Sequence, residues 1–162
     1  MAHFCRIEQE TDPTGFTTDT HWIVKQVVVV SNDIETSNGR LGDNDMHVDG
    51  ETWCQNFFNG GTWKQTSYNN SFRKQYVAKG FVYDDVNDRF LKPQPFDGWT
   101  LDDNGDWQGP VAYPSVTTYG DGIEYSIYWD DAAQKWKAHD WEDTPNTFEW
   151  DPSSSSWTST AE

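Results

Sequence analysis

The sequence predicts a mainly β protein with one short helix, in which an antiparallel sheet is followed by aromatic β-hairpin units. Three observations carry this expectation. The first is the run Trp22-Ile23-Val24-Lys25-Gln26-Val27-Val28-Val29-Val30, whose β-branched residues pack well on a pleated surface. The second is a small unit that recurs from residue 81 to the C-terminus. The third is composition: aromatic residues make up 16% of the 162-residue chain, ten of them Trp. Aliphatic residues are sparse, so rings that each bury about 150–250 Å² must build much of the core.

Taken in order, Phe4-Cys5-Arg6-Ile7 alternates and reads as a short strand. Asp12-Pro13-Thr14-Gly15 is a turn signal. The strand over 22–30 is expected to be central, buried on both faces for part of its length, and antiparallel to residues 3–7. Ser31 to Gly50 reads as a long polar loop, a length that is uncommon in compact domains. Residues 51–58 read as a helix with Asp49 as N-cap, Trp53, Cys54, Phe57 and Phe58 on one face, and Gly60-Gly61 closing it. Thr62 to Tyr68 alternates as a strand, Asn69-Asn70 makes a turn, and Phe72 to Val77 is the expected partner strand.

The recurring unit is an apolar residue, any residue, a bulky apolar residue, Asp, a short loop and an aromatic ring. Its copies are Phe81-Val82-Tyr83-Asp84 with Phe90, Trp99-Thr100-Leu101-Asp102 with Trp107, Ile127-Tyr128-Trp129-Asp130 with Trp136, and Phe148-Glu149-Trp150-Asp151 with Trp157. The triplet is a strand with two residues on one face. The Asp ends it by accepting backbone N–H groups in an Asx-type turn. The chain then folds back and the second ring packs across the strand pair. The expected clasp residues are Tyr83, Phe90, Trp99, Trp107, Trp129, Trp136, Trp150 and Trp157. Isolated hairpins are marginal in water, so these must stack on one another, on the N-terminal sheet or on other subunits. Pro93 and Pro95 mark a linker, giving an N-terminal sheet over 1–92 and Pro-linked hairpins over 93–162.

The formal net charge of −16 and the pI of about 4.3 set the chain against phosphate backbones, so no nucleic-acid partner is expected. No apolar run is long enough for a membrane span, and the N-terminus lacks the basic and apolar regions of a signal peptide. Cys5 and Cys54 match no zinc or redox spacing; a bridge between them is left open, and two buried thiols are expected. Asp43, Asp45, Asp49 and Glu51 fail the calcium-loop pattern, because Val48 stands where Gly is needed. Asp102, Asp103 and Asp106 read as a tight acidic turn. His3, His21, His47 and His139 show no ligand spacing, and no nucleophile motif appears, so neither metal, cofactor nor enzymatic activity is expected. Tyr119 and Trp141 lie outside the hairpin pattern and are the candidates for a subunit or ligand contact.

Several strings together carry a family resemblance. They are Met1-Ala2-His3-Phe4, Gln26 to Asn32, Gly60-Gly61-Thr62-Trp63-Lys64-Gln65-Thr66-Ser67-Tyr68-Asn69, Arg73-Lys74-Gln75-Tyr76, Gly80-Phe81, Tyr83-Asp84, Pro93 with Pro95, Trp99-Thr100-Leu101, Pro110, Tyr113-Pro114, Asp121-Gly122 and Trp129-Asp130 with Trp136. In these the chain resembles small virion-associated proteins of the tailed phages of marine cyanobacteria, the cyanophages. It departs from them in the polar insertion over 8–21, the enlarged loop over 33–50 and the additional hairpin over 148–157. The resemblance implies a virion location and a structural role, as a capsid decoration protein or a small tail or fibre component. Its partners would be other virion proteins, with a homo-oligomer as one form. The alternative expectation is a carbohydrate- or receptor-binding module at the virion periphery, contacting a host surface glycan.

Overall fold

The computed structural model describes residues 1–43 and 47–160 and is mainly β, with antiparallel sheets and one α-helix. It divides into two compact units, Met1–Gln94 and Pro95–Glu162.

In the first unit, β1 (Ala2–Thr11) pairs antiparallel with β2 (Thr20–Val30), as the alternation in one and the β-branched run in the other require. The turn between them is tied by Asp12, whose carboxylate accepts the N–H groups of Thr14 and Thr17. The register shifts between Arg6 and Ile7, where β2 carries one extra residue, and such a bulge sharpens the twist. The five-stranded sheet runs β5-β1-β2-β6-β7, with β5 at Thr62–Thr66, β6 at Val82–Asp84 and β7 at Arg89–Leu91. β2 is central, but β6 pairs only with Trp22 and Ile23. Full burial of two successive residues is therefore reached at Ile23 and Val24, while further along Val27 and Val28 are partly buried, Val29 is exposed and Val30 is buried.

The polar stretch from Ser31 is more ordered than a loop. It forms a hairpin of β3 (Glu35–Thr36) and β4 (Gly39–Arg40) around the Ser37-Asn38 turn, then a 3-10 turn over Leu41–Asp43. Helix α1 spans His47–Phe57. It begins before Asp49, so Asp49 lies inside the first turn and is not the N-cap; its carboxylate instead accepts both bonds from Asn38 Nδ2, tying α1 to the hairpin. Gly50 sits where α1 meets the sheet, and a Cβ there would lie 2.1 Å from the Phe4 ring.

The expected strand over 72–77 does not form. Arg73 and Lys74 both take left-handed backbone angles, with φ of 52° and 70°, which no strand accommodates. β5 pairs with β1 instead. Segment 72–77 bonds both edges of the sheet: Arg73 Nη1 donates to the Gln65 carbonyl of β5, and the Phe90 N–H of β7 donates to the Arg73 carbonyl. The sheet thus curls until one segment closes the gap between its first and last strands. The curled side holds Cys5, Ile7, Val24, Val77, Tyr83 and Phe90, and the α1 side holds Phe4, Val30, Leu41, Cys54 and Trp63. Cys5 and Cys54 lie in different clusters, both free and buried, and burial pushes each thiol up to about 12.

The second unit contains β8 (Thr100–Leu101) with β9 (Trp107–Gln108), β10 (Thr118–Tyr119) with β11 (Ile123–Glu124), and a four-stranded meander. The meander is β12 (Ser126–Asp130), β13 (Lys135–His139), β14 (Thr147–Asp151) and β15 (Ser156–Ser159). Trp129, Trp136 and Trp150 form its buried core with Phe96, Trp99, Val111, Ile127 and Trp157 around them. A strap over 109–118 lies against these rings and accepts two of their indole N–H groups. Trp136 donates to the Val111 carbonyl at 2.9 Å and Trp157 to the Val116 carbonyl at 2.7 Å. Buried indoles need such partners, and here irregular backbone supplies them.

Candidate functional site

The hairpin clasps are built as direct cross-strand pairs. Trp129 faces Trp136 with ring centroids 5.3 Å apart, Trp150 faces Trp157 at 5.1 Å, and Tyr83 faces Phe90 at 5.2 Å. The second copy differs from expectation: Trp107 faces Leu101, not Trp99. The residue before the Asp is the one opposite the second ring in every copy, so Trp99 falls outside the pair. It packs edge-on against Trp129 and Trp136 at 5.9 and 5.7 Å, and over Gly109, where a Cβ would lie 3.1 Å from its ring.

Each unit's Asp closes its turn. Asp84 accepts the Asn87 N–H, Asp102 the Asp106 N–H, Asp130 the Ala133 N–H and Asp151 the Ser153 N–H. All four turns then place one residue in the left-handed region two positions before the second ring: Asp88, Gly105, Gln134 and Ser155. Bonds from Ser153 and Ser154 hold the Asp151 carboxyl down at about 2, and the bonds from Lys137 and Ala133 lower that of Asp130.

Of the acidic candidates of the first unit, Asp49 and Glu51 are engaged in structure, and the side chain of Asp43 lies outside what is described. Asp45 lies outside the described residues, and Asp49 is bonded to Asn38. Glu51 accepts from the Gln65 N–H and from Arg73 Nη1, both at 2.8 Å. Among the described residues no group of three His, Cys, Asp or Glu is gathered as a metal site, and no helix is long and apolar enough to cross a membrane.

Among the exposed aromatic surfaces, two stand out. On the first unit, Trp53, Phe57, Phe58 and Trp63 form a ladder of rings with successive centroid distances of 4.7, 5.0 and 4.7 Å. Phe57 is 62% exposed, and Val48 on the same helix is 70% exposed. Only part of the apolar face expected for this helix is buried: Cys54 faces the sheet, while Phe57 faces water.

On the second unit the structure brings the two sequence candidates together. The Trp141 backbone N–H donates to the Tyr119 hydroxyl at 2.7 Å, and its Nε1–H donates to the Glu124 carbonyl at 2.9 Å. The His139 ring stands edge-on to the indole at 5.3 Å. Trp141 is nonetheless 65% exposed. Its surroundings are acidic: residues 95–162 carry two Lys and fourteen Asp or Glu, a net −12, against −4 for residues 1–94. Composition summed over the whole chain hides this split.

Comparison with protein-family models, with characterised proteins and with solved structures finds no match.

Proposed function

We propose that this chain is a structural protein of a tailed-phage particle, a capsid decoration protein or a small tail or fibre component, that binds other virion subunits without catalysing a reaction. The observation that carries this reading is the uncovered apolar surface of α1. Phe57 and Phe58, in contact at the end of the helix, stand out in water within a stacked run of rings. Contiguous exposed apolar surface marks interaction sites, and a partner subunit that covered it would gain roughly 25 cal/mol for each Å² removed from water. The resemblance to cyanophage virion proteins supplies the kind of partner. The paired hairpin rings stabilise the units themselves, since they are buried or half-buried.

The test is quantitative mass spectrometry of purified particles. The chain is expected at a fixed stoichiometry relative to the major capsid protein, and Phe57→Glu is expected to lower that stoichiometry while leaving the free protein folded. Absence from washed particles would overturn the reading. Recovery in particles irrespective of Phe57→Glu would move the attachment surface elsewhere.

A further inference from the structure

Trp141 presents an unusual combination of order and exposure. Burying an indole is favourable, and the hairpin rings of the same unit are buried or half-buried, with Trp129 only 6% exposed. Trp141 is left out of that core, yet it is fixed in place. Its backbone N–H and its Nε1–H are both bonded, to Tyr119 and to the Glu124 carbonyl, and the His139 ring braces it from the side. With its N–H already used inside the protein, the exposed indole offers a partner its π surface and no hydrogen-bond donor. A surface held this way loses little freedom on binding, which favours affinity.

Charge decides what kind of group that surface suits. Glu142 and Asp143 follow Trp141 in the chain and are exposed, as is Glu124. The only cations of the unit's own chain, Lys135 and Lys137, are already paired with Glu149 and Asp130. A phosphate-bearing or otherwise anionic ligand is repelled by this field. A guanidinium or ammonium is drawn to it, and Trp is the best of the side chains for holding a cation over its ring, within about 6 Å of the centroid. We propose that Trp141, seated on Tyr119 and Glu124, is the anchor of a docking site for a basic segment of a partner protein, with an Arg or Lys side chain lying over the indole and Glu124, Glu142 and Asp143 around it. This rests on the reading of the chain as a subunit that binds other proteins, and it names the chemistry of one such partner.

The probe is the peptide acetyl-Gly-Arg-Gly-Arg-Gly-amide, titrated into the full chain and followed through the Trp indole N–H signals in two-dimensional NMR. The Trp141 signal is identified by its loss in Trp141→Ala. The peptide is expected to move the Trp141 signal saturably, with affinity falling steeply as salt rises, while the other nine indole signals stay in place. Trp141→Ala, with those nine signals unmoved, is expected to weaken binding at least tenfold by calorimetry. Tyr119→Phe, which removes the acceptor under the Trp141 backbone and keeps the ring, should weaken it less. The same peptide with Gln in place of Arg, and the neutral sugar maltohexaose, should not bind. The proposal is overturned if the Arg peptide binds equally well to Trp141→Ala, which would mean diffuse attraction to an acidic surface. It is also overturned if maltohexaose moves the Trp141 signal and the Arg peptide does not, which would make the indole a sugar platform. Particle mass spectrometry is independent of this titration. A chain present in particles that ignores the peptide loses only the docking site, and one that binds the peptide but is absent from particles loses only the virion role.

Discussion

Arg73 Nη1 lies 2.8 Å from Glu51 Oε1, and together the two side chains close the outer edge of β5. Glu51 accepts the Gln65 N–H and Arg73 donates to the Gln65 carbonyl, so one ion pair satisfies both groups that a neighbouring strand would have bonded. Arg73 Nε reaches Asp88 in the turn between β6 and β7, and its guanidinium lies 5.8 Å from the Tyr83 ring. One side chain therefore joins the helix, the first edge of the sheet and the turn beside its last edge. Unpaired edges invite association with other chains, and this edge is blocked from within.

The pair is well shielded, with side-chain exposures of 7% for Arg73 and 15% for Glu51. Arg73→Met leaves the Glu51 carboxylate and the Gln65 carbonyl without their shared donor. It is expected to cost about 3–5 kcal/mol, the usual price of removing one partner from a buried pair. Arg73→Lys should recover only part of that, because an ammonium cannot serve Glu51, Gln65 and Asp88 with a planar fork. Urea denaturation of the three proteins measures both values. Concentration-dependent self-association of Arg73→Met, absent in the parent, would report the opened edge.

The Trp129–Trp136 pair gives a cleaner measure of a single hairpin. The rings are 6% and 7% exposed and face each other directly across the strands. Either Trp→Ala substitution is expected to cost roughly 3–5 kcal/mol. The double variant should cost less than the sum by about 0.5–3 kcal/mol, the coupling seen between residues in contact. Strict additivity in denaturant unfolding would show that the two rings act separately, through Trp99 and the strap.

How much of this was legible in the sequence follows from which interactions are local. The hairpin pairs could be read because the turn Asp and the second ring recur at nearly constant spacing with different residues between them, as in Ala132-Ala133-Gln134 against Ser153-Ser154-Ser155. Trp99 misled because it occupies the first apolar position of its copy, while pairing is decided by the residue next to the Asp. The hairpin over 35–40 carried an Asn38-Gly39 signal that was submerged in a polar stretch. Segment 72–77 was not legible at all. Arg-Lys-Gln-Tyr-Val has ordinary strand composition, and the left-handed angles at Arg73 and Lys74 accompany tertiary bonds that Arg73 makes with Glu51, Asp88 and Phe90. Trp141 and Tyr119 were singled out by falling outside the pattern, but their bond to each other depends on the fold.

Acid should loosen the turn of the last hairpin. The serine bonds that hold the Asp151 carboxyl at about 2, against 3.8 for the free group, favour its charged form in the folded state. A depressed folded-state value means the contribution is present above pH 3.8 and is lost as pH falls towards 2. Asp151→Asn should therefore lower the thermal midpoint at pH 6 and differ little from the parent near pH 2. Comparing the two proteins at each pH cancels the relief of overall charge repulsion that acid brings to both. A midpoint difference that stayed constant from pH 6 to pH 2 would show that the Asp151 charge plays no part in the turn.

The left-handed turn position gives a prediction whose sign reverses between copies of the same unit. Ser155 holds a φ of 51° and Gly105 a φ of 77°, each two residues before the second ring of its hairpin. A left-handed angle costs an L-residue roughly 1–2 kcal/mol because its Cβ crowds the following carbonyl. Gly avoids that crowding but loses more backbone freedom on folding, about 0.5–1 kcal/mol relative to Ala. The difference favours Gly at this position. Ser155→Gly is thus expected to stabilise the protein by up to about 1 kcal/mol, and Gly105→Ala to destabilise it by a similar amount. Ser155 is exposed, and the serines that bond Asp151 are its neighbours Ser153 and Ser154, so the substitution leaves the Asx turn intact. Gln134 is a poorer site for the same experiment, because its side chain donates to the Asp131 carbonyl at 2.6 Å and would be lost with the strain. Thermal and urea unfolding of the two single variants and of the combined one decide the matter. Opposite signs, nearly cancelling in the combined variant, are the expected outcome. If both substitutions destabilised, the turn in the last hairpin would depend on the Ser155 side chain itself and the four turns would not share one backbone geometry.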